Sequence, residues 1–343
     1  MKVEGIVERS PEWHAHRLLH VNASEVACFW GVQPEYAPSM FSLWQQKAGN
    51  IPVGEVEGER LAWGIRLEPV VAQAIREVEG WGVEKGVRFV DEKVSVVIDG
   101  VAHGAAASLE YVIEEPGPVE WRQGWTGPGV LQIKCVDRLA YKRAWAHDQP
   151  PQHIQMQVQH EAMCAGFAWG AVAVLIGGNE LKVIRLAARP RIHSLIRDKV
   201  KEFWRSVRDN KPPLIDGTMS TTDALRELFP HVEDTEHDPV DLTFHNELAE
   251  VCFGYETAQA DVKEGKRRLE EFRNRMRAII RDKSCVIAQG YRIDTTIVDA
   301  KKPRLALPGE VIGGRRESRR YTVRPWDSEQ FLGGQDGEDN DES

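Results

Sequence analysis

Short runs of β-branched and aliphatic residues alternate along the chain with longer stretches in which apolar residues recur every three or four positions. The short runs are typical of strands, because branched side chains pack well on a pleated surface. They predict strands at five places: Val94–Ile98, Tyr111–Ile113, Val130–Val136, Ala171–Ile176 and Leu181–Leu186. Two glycines and an asparagine, residues 177–179, separate the last two strands, which predicts a hairpin there.

The longer stretches predict helices. The first opens at Ser10 and Pro11, the favoured pairing of an N-cap with proline at the first helical position. A second is expected to start at Asn22, with Ser24 in its first turn and free backbone N–H groups to offer an anion. Further helical patterns cover 59–79, 153–168, 192–207 and 246–283; the last is either a hairpin of helices or one extended arm.

Pro69 lies inside the pattern at 59–79 and predicts a kink or a break near residues 66–68. Three glutamines recur at every second residue of the 153–168 pattern, which spreads them around a helix and indicates an amide-rich surface: Gln155, Gln157 and Gln159.

Two polar side chains point the same way from the strand predicted at Val130–Val136. Side chains at i and i+2 share one face of a strand, so Gln132 and Lys134 lie together while Ile133 faces the core. Glu110 ends a run of small residues that leads into the preceding strand. Glu110, Gln132 and Lys134 are therefore expected to cluster at one sheet edge. Oxygen ligands for Mg²⁺ beside a lysine suit the hydrolysis of a phosphodiester.

Composition narrows the class of protein. The 343 residues, 42% of them hydrophobic, are enough for one large domain or two medium ones. No apolar run approaches the roughly 18 residues of a membrane helix, and the N-terminus lacks the apolar core of a signal peptide, so we expect a cytoplasmic protein. The five cysteines are far apart and form no C-x-x-C pair, which argues against a disulfide framework or a zinc site.

The net charge of −9 argues at first against a nucleic-acid partner. Seven acids and no base follow Trp326, however, so that residues 1–326 carry a net charge of only −2. A loose basic segment precedes this tail and is either a contact for phosphates or a solvated stretch. Its bases are Lys301, Lys302, Arg304, Arg315, Arg316, Arg319 and Arg320.

The order of these landmarks resembles the phage lambda exonuclease and YqaJ-like viral recombinase family, which has a PD-(D/E)XK nuclease motif. The resemblance runs from Trp13 to about Trp204. It is carried by Trp13, Arg17 and Ser24, the A-W-G-x-x-x-E pattern that ends at Glu68, the small-residue run that ends at Glu110, the strand residues Gln132 to Lys134, and the Q-x-Q pattern of Gln157 and Gln159. The chain departs from the family with Glu110 where Asp is usual and Gln132 where Glu is usual.

The resemblance implies an α/β fold with a PD-(D/E)XK nuclease core, in which helices flank a central mixed β-sheet, and a C-terminal helical arm. The implied boundaries are a nuclease core at 1–210, a connector at 211–243, a helical arm with a short β-hairpin at 244–300, and a basic segment with an acidic disordered tail at 301–343.

The same resemblance assigns roles to residues. Glu68, Glu110, Gln132 and the Ile133 carbonyl would surround one or two Mg²⁺ (or Mn²⁺) ions. Lys134 would orient or activate water, and Gln157 would line the site. Arg17 and Ser24 are the expected ligands of the 5′-phosphate of the DNA.

The implied activity is that of a metal-dependent exonuclease, which digests one strand of linear duplex DNA from 5′ to 3′ and exposes the other for annealing. The implied partners are double-stranded DNA ends, a single-strand annealing protein and further copies of the chain in a ring such as a trimer, with no membrane. The setting would be the bacterial cytoplasm, for a phage or prophage protein.

Other interpretations stay open at this point. Gln132, an amide where a carboxylate is expected, favours a pseudo-nuclease that binds DNA without cutting it. An endonuclease could be built on the same core, as in restriction or Cas4-like enzymes, although the scattered cysteines disfavour the latter. A structural phage protein lies outside the nucleases. The tryptophan-containing loop at 115–129 is either a surface hairpin or a DNA contact.

Overall fold

A computed structural model describes residues 1–3, 10–53, 58–231, 242, 244–298, 304–305, 311–312 and 318–325. The chain divides into two compact units, residues 1–233 and 234–343. Each unit is described by itself. No helix in the described ranges is long and apolar enough to cross a membrane.

The first unit contains both strands and helices. Its strands are β1 (Lys2–Val3), β2 (His20–Asn22), β3 (Gly82–Lys85), β4 (Arg88–Ile98), β5 (Val101–Ser108), β6 (Tyr111–Glu115), β7 (Gly129–Val136), β8 (Trp169–Ile176) and β9 (Glu180–Ala187). Its helices are α1 (Pro11–Leu18), α2 (Met40–Lys47), α3 (Glu59–Glu79), α4 (Pro118–Arg122), α5 (Arg138–Ala144), α6 (Gln152–Ala165), α7 (Pro190–Arg208) and α8 (Met219–Leu228).

These strands form two mixed sheets, which confirms the α/β class and divides the expected central sheet in two. One sheet has the order β1-β4-β5-β2 and the other the order β3-β6-β7-β8-β9. The β2–β5 and β7–β8 pairs are parallel and the remaining pairs are antiparallel. A parallel pair needs a long crossover, and α5 and α6 supply it between β7 and β8.

Helix α6 lies against both sheets. It packs on β4 and β5 of one and on β7 and β8 of the other. Its buried residues therefore include polar side chains such as Gln159, His160 and Glu161. The expected amide-rich surface is wrong for Gln159, whose amide donates to the Ala187 carbonyl at 2.9 Å.

Helix α3 runs without a break through Pro69, so of the kink or break predicted near residues 66–68 the break is wrong. Proline removes one backbone hydrogen bond from a helix interior. Packing compensates here, because the turn after Pro69 buries Val71, Ala72 and Ile75 against the second sheet. Helical stability in proteins comes mostly from such burial of an apolar face.

The tryptophan-containing loop is not a surface hairpin. It contains α4, whose buried Glu120 accepts a hydrogen bond from Trp81 Nε1 at 2.9 Å and pairs with Arg185. Trp125 stacks on Trp169 with ring centroids 5.6 Å apart. A Cβ on Gly129 would lie 2.6 Å from the Trp169 ring, so the start of β7 requires glycine. The loop is thus fastened to the sheet that carries Gln132.

The segment expected as a connector, 211–243, contains helix α8, which packs against α2. Ala224 is buried with Phe41 and Ile51, and the hydroxyls of Ser39 and Thr221 lie 2.7 Å apart. This part of the predicted connector belongs to the first unit.

The second unit contains helix α9 (Asn246–Ile280), a single 35-residue helix and not a hairpin of helices. Strands β10 (Cys285–Ala288) and β11 (Tyr291–Val298) form the short β-hairpin expected within 244–300, and β14 (Ser318–Pro325) pairs with β11. Residues 319 and 320 of the expected loose basic segment therefore belong to a strand. Two short strands, β12 (Arg304–Leu305) and β13 (Val311–Ile312), pair with each other. The remainder of 299–343, including the predicted acidic tail, lies outside the described residues.

Candidate active site

Strand β7 presents its polar side chains on one face, as its alternation predicts. Ile133 is 4% exposed and packs with the apolar side chains of α3, whereas Gln132 and Lys134 face the opposite way. Gln132 is fully buried and Lys134 is partly exposed. The strand therefore carries an amide inside the molecule and an ammonium at its rim.

Glu110 meets Lys134 at this rim. Glu110 follows β5 and precedes β6, which is hydrogen-bonded to β7. Its carboxylate lies 3.9 Å from Lys134 Nζ and accepts a hydrogen bond from the Ile133 backbone at 3.4 Å. More than a quarter of each side chain is exposed, so the contact is open to water and to a substrate.

Gln132 faces a carboxyl group that the sequence reasoning missed. Its amide donates to Glu161 Oε1 at 2.9 Å, and the amide of Gln157 donates to the same oxygen at 3.0 Å. Glu161 is fully buried on α6. A signal was present, because Gln157 and Glu161 are four residues apart and must share a helix face.

Burial raises the pKa of Glu161 to about 8, and the negative charge of Glu110 acts in the same direction. Two buried oxygens here, Gln132 Oε1 and Glu161 Oε2, have no hydrogen-bond partner within the described part of the chain. Buried polar atoms are normally paired, so this pair of oxygens has spare capacity to bind a ligand.

Glu68 lies at the same end of the sheet. It is on α3, which packs against β7. After burial, the charge of Glu68 is the next cause that raises the pKa of both Tyr111 and Cys135, and Glu110 acts on the same two groups. The structure therefore brings Glu68 and Glu110 near the same pair of neighbours.

Arg17 and Ser24 line an open cleft of about 550 Å³ together with Gln157 and His153. Burial and then the positive charge of Lys134 lower the pKa of His153, which links this cleft to the rim of β7. Gln157 lines the cleft and also bonds Glu161. The two groups of predicted site residues thus meet at Gln157.

Ser24 is not at the start of an α-helix, which corrects the sequence expectation. It lies in a turn before a short 3₁₀ helix, Val26–Trp30, whose N-cap is Glu25. Its hydroxyl is exposed to the cleft. Any anion bound there would contact the hydroxyl at a turn, without the dipole of the α-helix that the sequence suggested.

A buried ion pair supports Arg17 from behind. Glu25 lies 3.2 Å from the Arg17 guanidinium and 2.9 Å from Lys47 Nζ. Lys47 also donates to the backbone carbonyls of Arg17 and His20 at 2.8 and 2.9 Å. Although burial acts to raise the pKa of Glu25, Lys47 and Arg17 hold it at about 2. Glu25 is therefore ionised and keeps the guanidinium beside the cleft.

Within the described ranges, no three His, Cys, Asp or Glu side chains converge so that they could hold a metal ion. The predicted ligands include an amide and a backbone carbonyl, which are outside those residue types. Carboxylate, amide and carbonyl oxygens are the ligands that hard divalent cations take. The unpartnered oxygens of Gln132 and Glu161 add to that set. The residues present therefore fit a magnesium-type ion.

Sequence comparison identifies the domain that contains this geometry. The profile of the YqaJ-like viral recombinase domain matches residues 12–168. The match covers less than half of the chain and shows that residues 12–168 are similar to that domain. The matched range contains the candidate site residues Arg17, Ser24, Glu68, Glu110, Gln132, Ile133, Lys134, Gln157 and Glu161.

Relatives of this chain include the uncharacterized protein YqaJ of Bacillus subtilis (strain 168), which is 22% identical over 91% of this chain and 93% of its own length. Among solved structures, the alkaline exonuclease LHK-Exo of Laribacter hongkongensis is 21% identical and covers 59% of this chain. The alignment covers 94% of the LHK-Exo chain. The TM-score is 0.42 for LHK-Exo and 0.43 for LHK-Exo in complex with dAMP.

Proposed function

We propose that this chain is a metal-dependent exonuclease of phage-type recombination, with a PD-(D/E)XK active site, that digests one strand of linear duplex DNA from 5′ to 3′. The observation that carries the proposal is the contact between Glu110 and Lys134 beside the Gln132–Glu161 hydrogen bond. It joins a carboxylate, an ammonium and two unpartnered oxygens within the range that is similar to the recombinase domain.

Mg²⁺ or Mn²⁺ would be held by Glu68, Glu110, Gln132 and the Ile133 carbonyl. When bound, such an ion polarises the scissile phosphate and lowers the pKa of water. Glu161 completes this set in our proposal. Gln132 brings no negative charge, and Glu161 supplies from α6 the carboxylate that β7 lacks.

Lys134 and Gln157 would act on the substrate and on water. The Lys134 ammonium is at the exposed rim, where it can orient water or offset negative charge that develops on the phosphate. Gln157 holds the Glu161 carboxyl with one hydrogen bond and lines the cleft. It would thus keep the ligand carboxyl in place next to the end of the DNA.

Arg17 and Ser24 would bind the terminal 5′-phosphate in the cleft. A guanidinium and a hydroxyl are both good donors to phosphate oxygens. Glu25 accepts one hydrogen bond from Arg17, and the other N–H groups of a guanidinium, which has five, are enough for a phosphate. The strand that remains would be the substrate of a single-strand annealing protein.

The test uses end-labelled linear duplex with a 5′-phosphate or a 5′-hydroxyl, and circular duplex, each with Mg²⁺ or Mn²⁺. We expect nucleotides to be released from linear DNA, faster from the 5′-phosphate end, and circular DNA to survive. Nicking of the circle would make the protein an endonuclease instead. Binding of DNA ends without cleavage under any of these metals would establish the pseudo-nuclease that Gln132 suggests.

A further inference from the structure

Helix α9 carries a continuous heptad pattern that the nuclease proposal does not use. Apolar or small residues recur with alternating spacings of three and four over its whole length. They are Leu248, Val251, Tyr255, Ala258, Val262, Gly265, Leu269, Phe272, Met276 and Ile279. A spacing that averages 3.5 residues places one seam along an α-helix and is typical of a coiled coil.

This seam is exposed along α9 except at Met276, which is half-buried. Leu248, Val262 and Leu269 are 40%, 56% and 50% exposed, and Phe272 and Ile279 are 52% and 79% exposed. A 35-residue helix is about 50 Å long. Monomeric proteins rarely leave a contiguous apolar strip of that length in water.

The rest of the helix is polar or small, with the exceptions of Phe253 and of Ile280, which is buried at the end of the helix. The residues that would lie farthest from the seam include Ala260, Arg267 and Asn274. Exposed ion pairs such as Arg267–Glu264 and Arg273–Glu270 lie outside the seam. The helix is therefore amphipathic in the way that a single partner helix requires.

Charge decides which partner fits. Residues 246–264 contain five acids and one lysine, whereas residues 265–280 contain six bases and two acids. Two copies that run antiparallel place the acidic half of each against the basic half of the other. A parallel pair would set like-charged halves side by side, which electrostatics disfavours.

Side-chain size favours the same orientation. With the two helices antiparallel and fully overlapped, Gly265 faces Val262 of the second copy and Ala258 faces Leu269, so that each small residue meets a larger one. In a parallel pair in register, Gly265 would face Gly265 and Ala258 would face Ala258. Those layers would leave cavities, which are costly in a packed interface.

We propose that α9 forms an antiparallel coiled coil with α9 of a second copy of this chain. The seam from Leu248 to Ile279 is the interface, and Asp261 lies beside Arg268 of the second copy. The interface is two-fold, so this contact by itself makes a dimer and not a ring of three chains.

The mass of the full chain in solution tests the interface. We expect two chains per particle by light scattering over a wide range of concentration. Leu269→Asp should weaken the dimer by more than about 100-fold, since it removes an apolar side chain twice and buries two charges. Asn274→Asp, on the opposite face, is the matched control and should leave the dimer intact. A wild-type monomer, or a particle whose mass survives Leu269→Asp, would overturn the proposal.

Cross-linking tests the orientation. In a Cys252→Ser, Cys285→Ser background, chains with Gln259→Cys are mixed with chains with Lys266→Cys and treated with a short bis-maleimide. Antiparallel helices bring these two positions together, so a cross-linked dimer should form. The comparison mixture pairs Gln259→Cys with Gly254→Cys, which approach each other only in a parallel pair. Cross-links in the second mixture and not in the first would refute the antiparallel assignment.

Discussion

Gln132 on β7 and Glu161 on α6 share a hydrogen bond of 2.9 Å in the interior of the protein, although 29 residues separate them in the sequence. One of them is an amide at the strand position where the family usually has a carboxylate, and the other is a carboxyl on the helix behind it. A carboxyl group is thus present in the same place and comes from a different element. This relationship makes an active enzyme chemically reasonable despite Gln132.

The relocated carboxylate can be tested by exchange. Glu161→Gln should lower metal affinity and the rate of cleavage by about 10- to 100-fold, the usual effect of a lost group at a metal site. The double variant Gln132→Glu, Glu161→Gln returns the carboxylate to the strand. It should recover most of the metal affinity and most of the cleavage rate. Calorimetric titration with Mn²⁺ without DNA measures the affinity. A double variant no better than Glu161→Gln would sink the idea.

The raised pKa of Glu161 predicts a dependence of stability on pH. Because its pKa is about 8 when folded and 4.5 in its ordinary state, the neutral form stabilises the fold fully below about pH 4.5. This contribution falls as the pH rises and is gone above about pH 8. Glu161→Gln cannot ionise, so its free energy of unfolding should vary less with pH. Between pH 4.5 and pH 7 it should fall by on the order of 3 kcal/mol less than that of the wild type. Urea unfolding at several pH values measures it, and parallel curves for the two proteins would contradict it.

Removing either partner at the rim of β7 should separate catalysis from stability. Glu110→Ala and Lys134→Ala should each lower cleavage of linear duplex by more than about 100-fold, as loss of electrostatic stabilisation at a reacting phosphate does. Their partly exposed contact is worth less than about 1 kcal/mol, so unfolding should change little. Lys142→Ala, an exposed lysine on the neighbouring helix α5, is the control and should cleave normally. Cleavage that survives in both variants would place the site elsewhere.

The cleft around Arg17 should select the end of the DNA. Arg17→Ala should lower the preference for a 5′-phosphate over a 5′-hydroxyl by about tenfold, since a charge-assisted hydrogen bond contributes roughly 1.5–3 kcal/mol. Ser24→Ala should have a smaller effect in the same direction. The ratio of initial rates on the two substrates is the measurement, because it cancels changes in the amount of folded enzyme. Equal rates on both ends for the wild type would remove this assignment.

His160 should contribute to loss of stability in acid. Burial lowers its pKa to about 4, and its ring donates to the Ala106 carbonyl from inside the core. A histidine with a depressed pKa stabilises the fold above about pH 6.5 and loses that effect as the pH falls towards 4. In the wild type, His160 takes up to about one proton on unfolding between these pH values. In His160→Gln this uptake is absent, so the unfolding free energy should rise less steeply with pH in that range. An unchanged slope would show that the ring is already accessible to protons.

The strand that carries Gln132 and Lys134 was predictable from the sequence, and one buried carboxyl was not. Alternation with a period of two places Gln132 and Lys134 together whatever surrounds the strand, and the structure agrees. Helix α6 is different because it is covered by both sheets, so its polar residues lie inside the protein and no simple amphipathic pattern marks them. For that reason Glu161 was not predicted as a site residue.

The backbone conformation near the cleft could not be predicted from the sequence either. Asn22 and Ser24 are good helix-starting residues, and they favoured an α-helix from Asn22. Strand β2 pairs with β5 instead, which fixes Asn22 in extended backbone and delays the helical turn until Val26. Pairing with a distant strand overrides a local preference here. The residues of the cleft were predicted, and the backbone that presents them was not.

The buried ion pair of Glu25 and Lys47 predicts correlated substitution at two positions that are 22 residues apart. Loss of one charge would strand the other in the interior, which costs about 3–5 kcal/mol, whereas a simultaneous change to apolar residues can be nearly neutral. In related sequences the two positions should therefore change together or not at all. Because Glu25 also holds Arg17, a lineage that replaces the pair should show altered selection of DNA ends before it shows any loss of fold.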